Sequence, residues 1–297
     1  MRRRQHPGRM DLIYWMQGCL IGFILAALSA TQALGQSAAG LPPYTEVFYT
    51  SGQLRIQAYL YQPPGKGPFP LVIYNHGSRA DRERISVPFP YVGRTLMEAG
   101  YAVLVPERRG YGRSDGPTFS EQVGQDSGPR FVSRLQAETD DVLAAVDFLK
   151  TVPFVDQSRL GIMGWSLGGI VTMFAVSRSD VFRAAVNQAG GALMWDRSAA
   201  LREALLAAAS QAHTPVLLMV AQNDRTTASV SMLASPLQAR NPATQLIIYP
   251  PFTPSRNPGN IAPGHLIFSD QGSTIWEHDV QIFFTKWLGG GPSPALR

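Results

Sequence analysis

Ten residues constrain this chain more than any others: Leu160-Gly-Ile-Met-Gly-Trp-Ser-Leu-Gly-Gly169. Residues 159–164 form a short apolar run of the length of a buried strand. Gly164-Trp165-Ser166-Leu167-Gly168 follows, and 169–178 is small and apolar with helical spacing. Strand, sharp turn and helix together are the context in which G-x-S-x-G presents a serine as a nucleophile. The flanking glycines let the backbone bend tightly without a Cβ clash. The bend lifts the Ser166 hydroxyl off the sheet edge and leaves the following amides facing it. The pattern alone is weak, because it occurs twice. The second copy, Gly112-Arg-Ser114-Asp-Gly116, lies in a charged loop beyond the apolar run 101–105, with Pro117 where a helix should begin. The plainer reading of Ser166 is an incidental serine in a Gly-rich turn.

The rest of the chain supplies a matching frame. Residues 44–50 and 54–61 alternate and carry β-branched and aromatic side chains around Ser51-Gly52, which predicts a hairpin. Runs at 71–74, 101–105, 182–188, 215–221 and 245–249 read as further strands. Between them, 86–99 predicts a weak helix, and 131–151 the clearest one, striped by Leu135, Val142, Leu143, Val146 and Leu149. Helices are also expected at 198–212, 229–240 and 273–288, the last with Ile275, Trp276, Val280, Phe283, Phe284 and Trp287 inward. Residues 250–263 read as a Pro-, Asn- and Gly-rich loop. Alternating strands and helices predict an α/β fold, with a mostly parallel central sheet, helices on both faces and the antiparallel N-terminal hairpin at one edge. One domain is expected over 44–288, after a small polar linker at 36–43 and before a flexible tail at 289–297.

Residues 1–35 read as an export signal. Arg2, Arg3 and Arg4 precede an uncharged span whose apolar centre, 20–30, is too short for a comfortable membrane span. Small residues follow, and cleavage before Gln36 is expected; the alternative is an uncleaved N-terminal anchor. Either places the folded part outside the cytoplasm, periplasmic or secreted. Of the formal net charge of +5, this segment supplies three, so the basic balance says little about nucleic acid or acidic partners. The single cysteine, Cys19, lies ahead of the apolar centre, the wrong end for lipid attachment. The mature chain then has no disulfide, thiol nucleophile or cysteine metal site. The sequence specifies no oligomeric state.

A serine hydroxyl needs a base to take its proton and a third group to orient that base. His265 lies after the last strand and before the last helix, in Pro-Gly-His-Leu-Ile-Phe. Of the other histidines, His6 is in the export segment, His213 precedes a strand, His278 is inside a helix and His76 comes before the serine. Asp224 lies just past the strand 215–221 and is the expected orienter, with Asn223 or Asp196 as substitutes. All three candidates sit beyond the carboxyl ends of strands, where open α/β sheets place their sites. Negative charge developing on a substrate oxygen needs fixed donors. The Leu167 amide is one; the second is expected from His76-Gly77-Ser78, with Ser78 favoured over Gly77.

Asn-His-Gly, Arg-Arg-Gly-Tyr-Gly-Arg-Ser-Asp-Gly, Gly-Trp-Ser-Leu-Gly-Gly, Asn-Asp and Gly-His together resemble the α/β hydrolase superfamily, over about residues 44–288. The chain is most similar to its dienelactone hydrolase-like and prolyl oligopeptidase-like branch. The resemblance implies a serine hydrolase with the triad Ser166, Asp224 and His265, needing no cofactor or metal. Dienelactone hydrolases proper use a cysteine where this chain has Ser166. Glu107 stands where many relatives carry Asp, a difference expected to affect packing only. Prolyl oligopeptidases add a propeller, for which residues 44–288 leave no room. The expected activity is hydrolysis of a small-molecule carboxylic ester. A small peptidase or amidase is the second reading, and a non-catalytic binding protein on the same scaffold the third. Trp165, Trp195 and Phe252 are candidates to line the substrate pocket, under a small cap from the insertion 189–213. Arg79, Arg82 and Arg84 read as a solvated charged face that can also attract an acidic substrate.

Overall fold

The computed structural model describes residues 42–79, 82–257, 259 and 261–290. The expected export segment and the expected linker up to residue 41 lie outside these residues, as does the expected tail from 291. Among the described residues, no helix is long and apolar enough to cross a membrane.

Strands β1 (Thr45–Ser51) and β2 (Leu54–Tyr61) form the expected antiparallel hairpin. Then come β3 (Phe69–Asn75), α1 (Pro90–Glu98), β4 (Ala102–Pro106), α2 (Phe119–Val123) and α3 (Pro129–Leu149). Next follow β5 (Val155–Trp165), α4 (Leu167–Arg178), β6 (Phe182–Gln188) and α5 (Ala199–Gln211). The chain continues through β7 (Val216–Ala221), α6 (Ala228–Arg240), β8 (Gln245–Tyr249), a 3-10 turn (Pro263–Phe268) and α7 (Ser273–Leu288). The eight strands make one sheet in the order β1-β2-β4-β3-β5-β6-β7-β8. Only the β1–β2 and β2–β4 pairs are antiparallel. Helices α1 and α7 contact each other on one face of the sheet, and α3 to α6 pack side by side on the other.

Burial on both faces explains the continuous apolar runs. In β3, Leu71 to Tyr74 are fully buried, as are β4 and β7 throughout. Helix α1 starts later than its apolar pattern suggests, because Pro88 and Pro90 disfavour helical backbone in the residues before them. Phe89 takes a left-handed φ of 54° there. Helix α7 buries Trp276, Val280, Phe283 and Phe284, but Ile275 is 44% exposed, so the stripe is narrower than expected. Helix α2 was not expected. Its signal is present in the sequence: Thr118 accepts from the Glu121 amide and Glu121 accepts from the Thr118 amide, a capping box at its usual spacing.

Helix α3 carries charge into the interior. Arg108, Arg134 and Glu138 are fully buried. Glu138 accepts from Arg108 Nε at 2.8 Å and from Arg134 Nε at 2.9 Å. Arg134 also donates to the carbonyls of Pro117 and Arg109 and to the Gln122 side chain. Arg108 donates to the His76 carbonyl at 2.9 Å. Asp141 holds the Arg109 backbone amide and guanidinium. The loop after β4 is therefore braced by α3, and so is the end of β3 where the site begins.

A buried carboxylate shared by two guanidinium groups cannot be removed without leaving uncompensated charge. Glu138→Gln should lower the unfolding free energy by about 3–5 kcal/mol in urea titration. Arg178→Gln, which breaks an exposed pair with Asp140, should change it by less than about 1 kcal/mol.

Candidate active site

Ser166 joins β5 to α4 with φ 58° and ψ −118°, a backbone conformation strained for any residue but glycine. Its amide donates to the Gln188 carbonyl at 2.9 Å, and its carbonyl accepts from Gly169. Two motif glycines make this bend possible. A Cβ on Gly168 would overlap the Asn75 carbonyl, and a Cβ on Gly164 would overlap the Gly168 carbonyl. The Asn75 side chain donates to the Thr172 hydroxyl at 3.0 Å, tying the end of β3 to α4. The other motif serine, Ser114, is buried and its hydroxyl accepts the Gln57 amide, so it braces β2.

His265 lies in the 3-10 turn and is 2% exposed. Its Nδ1 is 2.8 Å from Asp224 Oδ2. A carboxylate only accepts, so this bond places a proton on Nδ1, and in the neutral imidazole Nε2 is then the acceptor. Nε2 is buried and has no hydrogen-bond partner among the described residues. Asp224 is itself held: its Oδ1 accepts the Arg225 amide at 2.6 Å. Asn223, a possible substitute for it, is occupied elsewhere. Its side chain donates to the Phe252 carbonyl and accepts the Phe252 amide, while its own carbonyl accepts the Gly264 amide. This exchange locks the β7 and β8 loops together and sets the 3-10 turn. The other substitute, Asp196, lies exposed in the turn after β6.

The elbow and the histidine are coupled through Trp165. Its indole Nε1 donates to the His265 carbonyl at 3.1 Å, and the two rings lie 5.6 Å apart. On the other side of Ser166, a Cβ on Gly77 would sit 3.2 Å from the Ser166 Cβ. The end of β3 thus passes directly beside the serine. The amides of Leu167 and Ser78 find no acceptor among the described residues, so both remain available as donors.

A cavity of about 510 Å³ opens beside Ser166. Its wall includes Ser78, Ser166, Leu167, Phe119, Phe131 and Met194. Glu83 and Asp126 also face it, and both carboxylates are engaged. Glu83 accepts from the Ser120 amide and hydroxyl, and Asp126 from the Gly128 and Phe131 amides. None of the three expected pocket aromatics lies in this wall. Trp195 is a core residue at 3% exposure, Phe252 braces Asn223, and Trp165 lines a separate cavity. Nor does the 189–213 segment form the cap by itself. Most of it is α5, packed between α4 and α6. The overhang comes from α2 and the turn after it, joined to the 191–198 turn where Ser198 donates to the Ser127 carbonyl.

Of the arginines near the site, Arg82 and Arg84 are exposed, as a solvated face requires, and Arg79 is not. The Arg79 guanidinium ion-pairs with Glu107 with its side chain 8% exposed, and Arg84 donates to the carbonyls of Ser114 and Gly116. Glu107 does more than pack: it also accepts from Tyr59 and from the Val87 amide. His76 lies fully buried beside it, with Nε2 at 3.9 Å. Burial, then Arg108, then Arg79 hold the His76 pKa well below its ordinary 6.5. The backbone of Gly77 and of Glu107 opposes this more weakly. Among the described residues no group of three or more His, Cys, Asp or Glu side chains could hold a metal ion.

A histidine kept neutral when folded but free to protonate when unfolded stabilises the fold above pH 6.5, and that contribution is lost as pH falls towards the depressed value. The unfolding free energy should fall below pH 6.5, and His76→Gln should flatten that slope in urea titrations at stepped pH.

Residues 89–196 match the prolyl oligopeptidase family. Dipeptidyl peptidase 8 of Mus musculus is 31% identical over 166 residues, covering 50% of this chain and 17% of that protein, so the chain matches only a small part of this relative's length. The acylaminoacyl peptidase of Pyrococcus horikoshii superposes with a TM-score of 0.62 at 18% identity, over 86% of this chain and 43% of that one. The Pyrococcus furiosus esterase Pf2001 gives a TM-score of 0.58 at 18% identity, over 83% of this chain and 93% of that one. Strand order, elbow and solved neighbours agree on the α/β-hydrolase fold.

Proposed function

We propose that the protein is a serine hydrolase that cleaves carboxylic esters through an acyl-enzyme. The observation that carries this is the buried Asp224–His265 bond of 2.8 Å, whose far imidazole nitrogen is unpartnered, on a turn tied by hydrogen bond to Trp165, the residue before a serine held in a strained elbow. In this reading His265 Nε2 takes the Ser166 proton as Oγ attacks the ester carbonyl. Asp224 keeps the imidazole oriented and stabilises the imidazolium. The Leu167 and Ser78 amides receive the negative charge on the carbonyl oxygen. The imidazolium then protonates the departing alcohol, leaving the acyl group on Ser166. Water, deprotonated by the same nitrogen, attacks the acyl-enzyme and releases the acid.

Peptide hydrolysis is the second reading. It is supported by the prolyl oligopeptidase match over 89–196 and by relatives named as peptidases. An ester is favoured because the two carboxylates facing the cavity, Glu83 and Asp126, already bond backbone amides, so that among the described residues its wall holds no free acidic pair for a peptide amino terminus. We also place the folded part outside the cytoplasm, on the arginine-then-apolar pattern of residues 1–35. Cell fractionation checks that, with the protein expected in the periplasm or medium.

Ser166→Ala should lower kcat on a small chromogenic ester by about 10⁴ or more, and Asp224→Asn by about 10⁴ with KM little changed. Undiminished turnover by Ser166→Ala would overturn the mechanism. A matched aminoacyl anilide should be cleaved far more slowly than the ester; the reverse ranking would favour the peptidase reading.

A further inference from the structure

A second cavity of about 510 Å³ shares no wall residue with the one under α2 and has Trp165, the residue before Ser166, in its wall. Trp165, Phe89 and Tyr91 are in its wall, with Val87, Arg94 and Asp270. It stands next to the histidine: Trp165 is bonded to the His265 carbonyl, and its ring lies 5.6 Å from the imidazole. We propose that this cavity is the leaving-group subsite, shaped for an aromatic alcohol, and that the cavity under α2 receives the acyl group. This rests on the ester reading above.

The reaction itself dictates the division. The imidazolium must hand its proton to the leaving oxygen, so the leaving group has to lie on the His265 side of the carbonyl. The acyl substituent points the other way. The cavity under α2 holds Ser166, Leu167 and Ser78 in its wall and no residue of the 3-10 turn. The Trp165 cavity contains Ser269, at the end of that turn, and no oxyanion donor.

The walls of the second cavity favour a flat ring. Three aromatic side chains, all only partly buried, offer faces and edges to a planar guest. They are also fixed in place. Phe89 stacks parallel on the buried His76 ring, at 5.6 Å and 5°, with its backbone at φ 54°. The Tyr91 hydroxyl donates to the Phe268 carbonyl at 3.2 Å and lies 3.2 Å from the Tyr74 hydroxyl. Little ordering is therefore needed when a ligand enters. Arg94 is exposed in the wall with no ion pair among the described residues, available to lie over a bound ring. The overall step remains a balanced hydrolysis: ester and water give the acid and the aromatic alcohol.

Val87→Trp tests the assignment. The Val87 side chain lines the cavity, while only its backbone amide bonds Glu107, so the substitution fills space without removing that bond. With 2-naphthyl acetate, kcat/KM should fall about tenfold or more; with methyl acetate, which has the same acyl group, it should stay within about twofold. Calorimetry provides a readout without turnover: Ser166→Ala should bind 2-naphthol, and adding Val87→Trp should abolish the binding. If Val87→Trp does not fold, the smaller filler Val87→Phe takes its place. Equal losses on both esters, or 2-naphthol binding unaffected by the filler, would overturn the subsite alone. Hydrolysis of neither ester by the unaltered protein would overturn the ester reading from which the subsite follows.

Discussion

In the middle of the sheet the first turn of α4 packs directly on the end of β3. Gly168 lies against the Asn75 carbonyl with no room for a side chain, and Gly164 is confined in the same way by Gly168. That contact forces the chain to reverse within one residue. Ser166 bears the strain, at φ 58° and ψ −118°. Strain of order 1–3 kcal/mol persists only where surroundings over-determine it. Here they include the β3–β5 pairing in the middle of the sheet, the Asn75–Thr172 bond and the Ser166–Gln188 bond. The proposed nucleophile is therefore held by the sheet rather than by a loop.

The groups around it are held less directly, through polar contacts buried beneath them. Arg108 joins the His76 carbonyl to Glu138 on α3. Arg79 and Glu107 join the loop after β3 to the end of β4. Asn223 joins the β7 loop to the β8 loop and so sets both Asp224 and the turn bearing His265. These contacts are charged or bidentate, and each links two loops that the sheet alone would leave independent. A site assembled from distant segments needs such cross-links if its geometry is to persist between turnovers.

The strands were readable because both faces of the sheet are covered, which turns them into short continuous apolar runs such as 71–74 and 215–221. The elbow was readable because close packing there demands glycine at fixed positions. The partnership of residues 224 and 265 was legible only as chain order and strand ends; the distance between them depends on loop contacts made by Asn223 and Gly264. The pocket was not legible. Its wall is built by α2, five residues long and marked in the sequence only by the Thr118–Glu121 capping box. Large aromatic residues near the elbow suggested a pocket, yet Trp195 is consumed by the core and the Phe252 side chain packs against the core's edge. The buried charges of α3 were hidden for a different reason. Arg134, Glu138 and Asp141 follow the polar pattern of an exposed helix face, and only the loop folded over them makes that face interior.

The account rests on Ser166 being activated by an imidazole that Asp224 orients. Intact-mass and peptide mass spectrometry after exposure to a fluorophosphonate probe tests this most directly. A single adduct on Ser166 is expected, formed at least about 10³-fold more slowly in His265→Ala. An unmodified Ser166 in the folded, unaltered protein, or labelling as fast in His265→Ala as without the substitution, would contradict it.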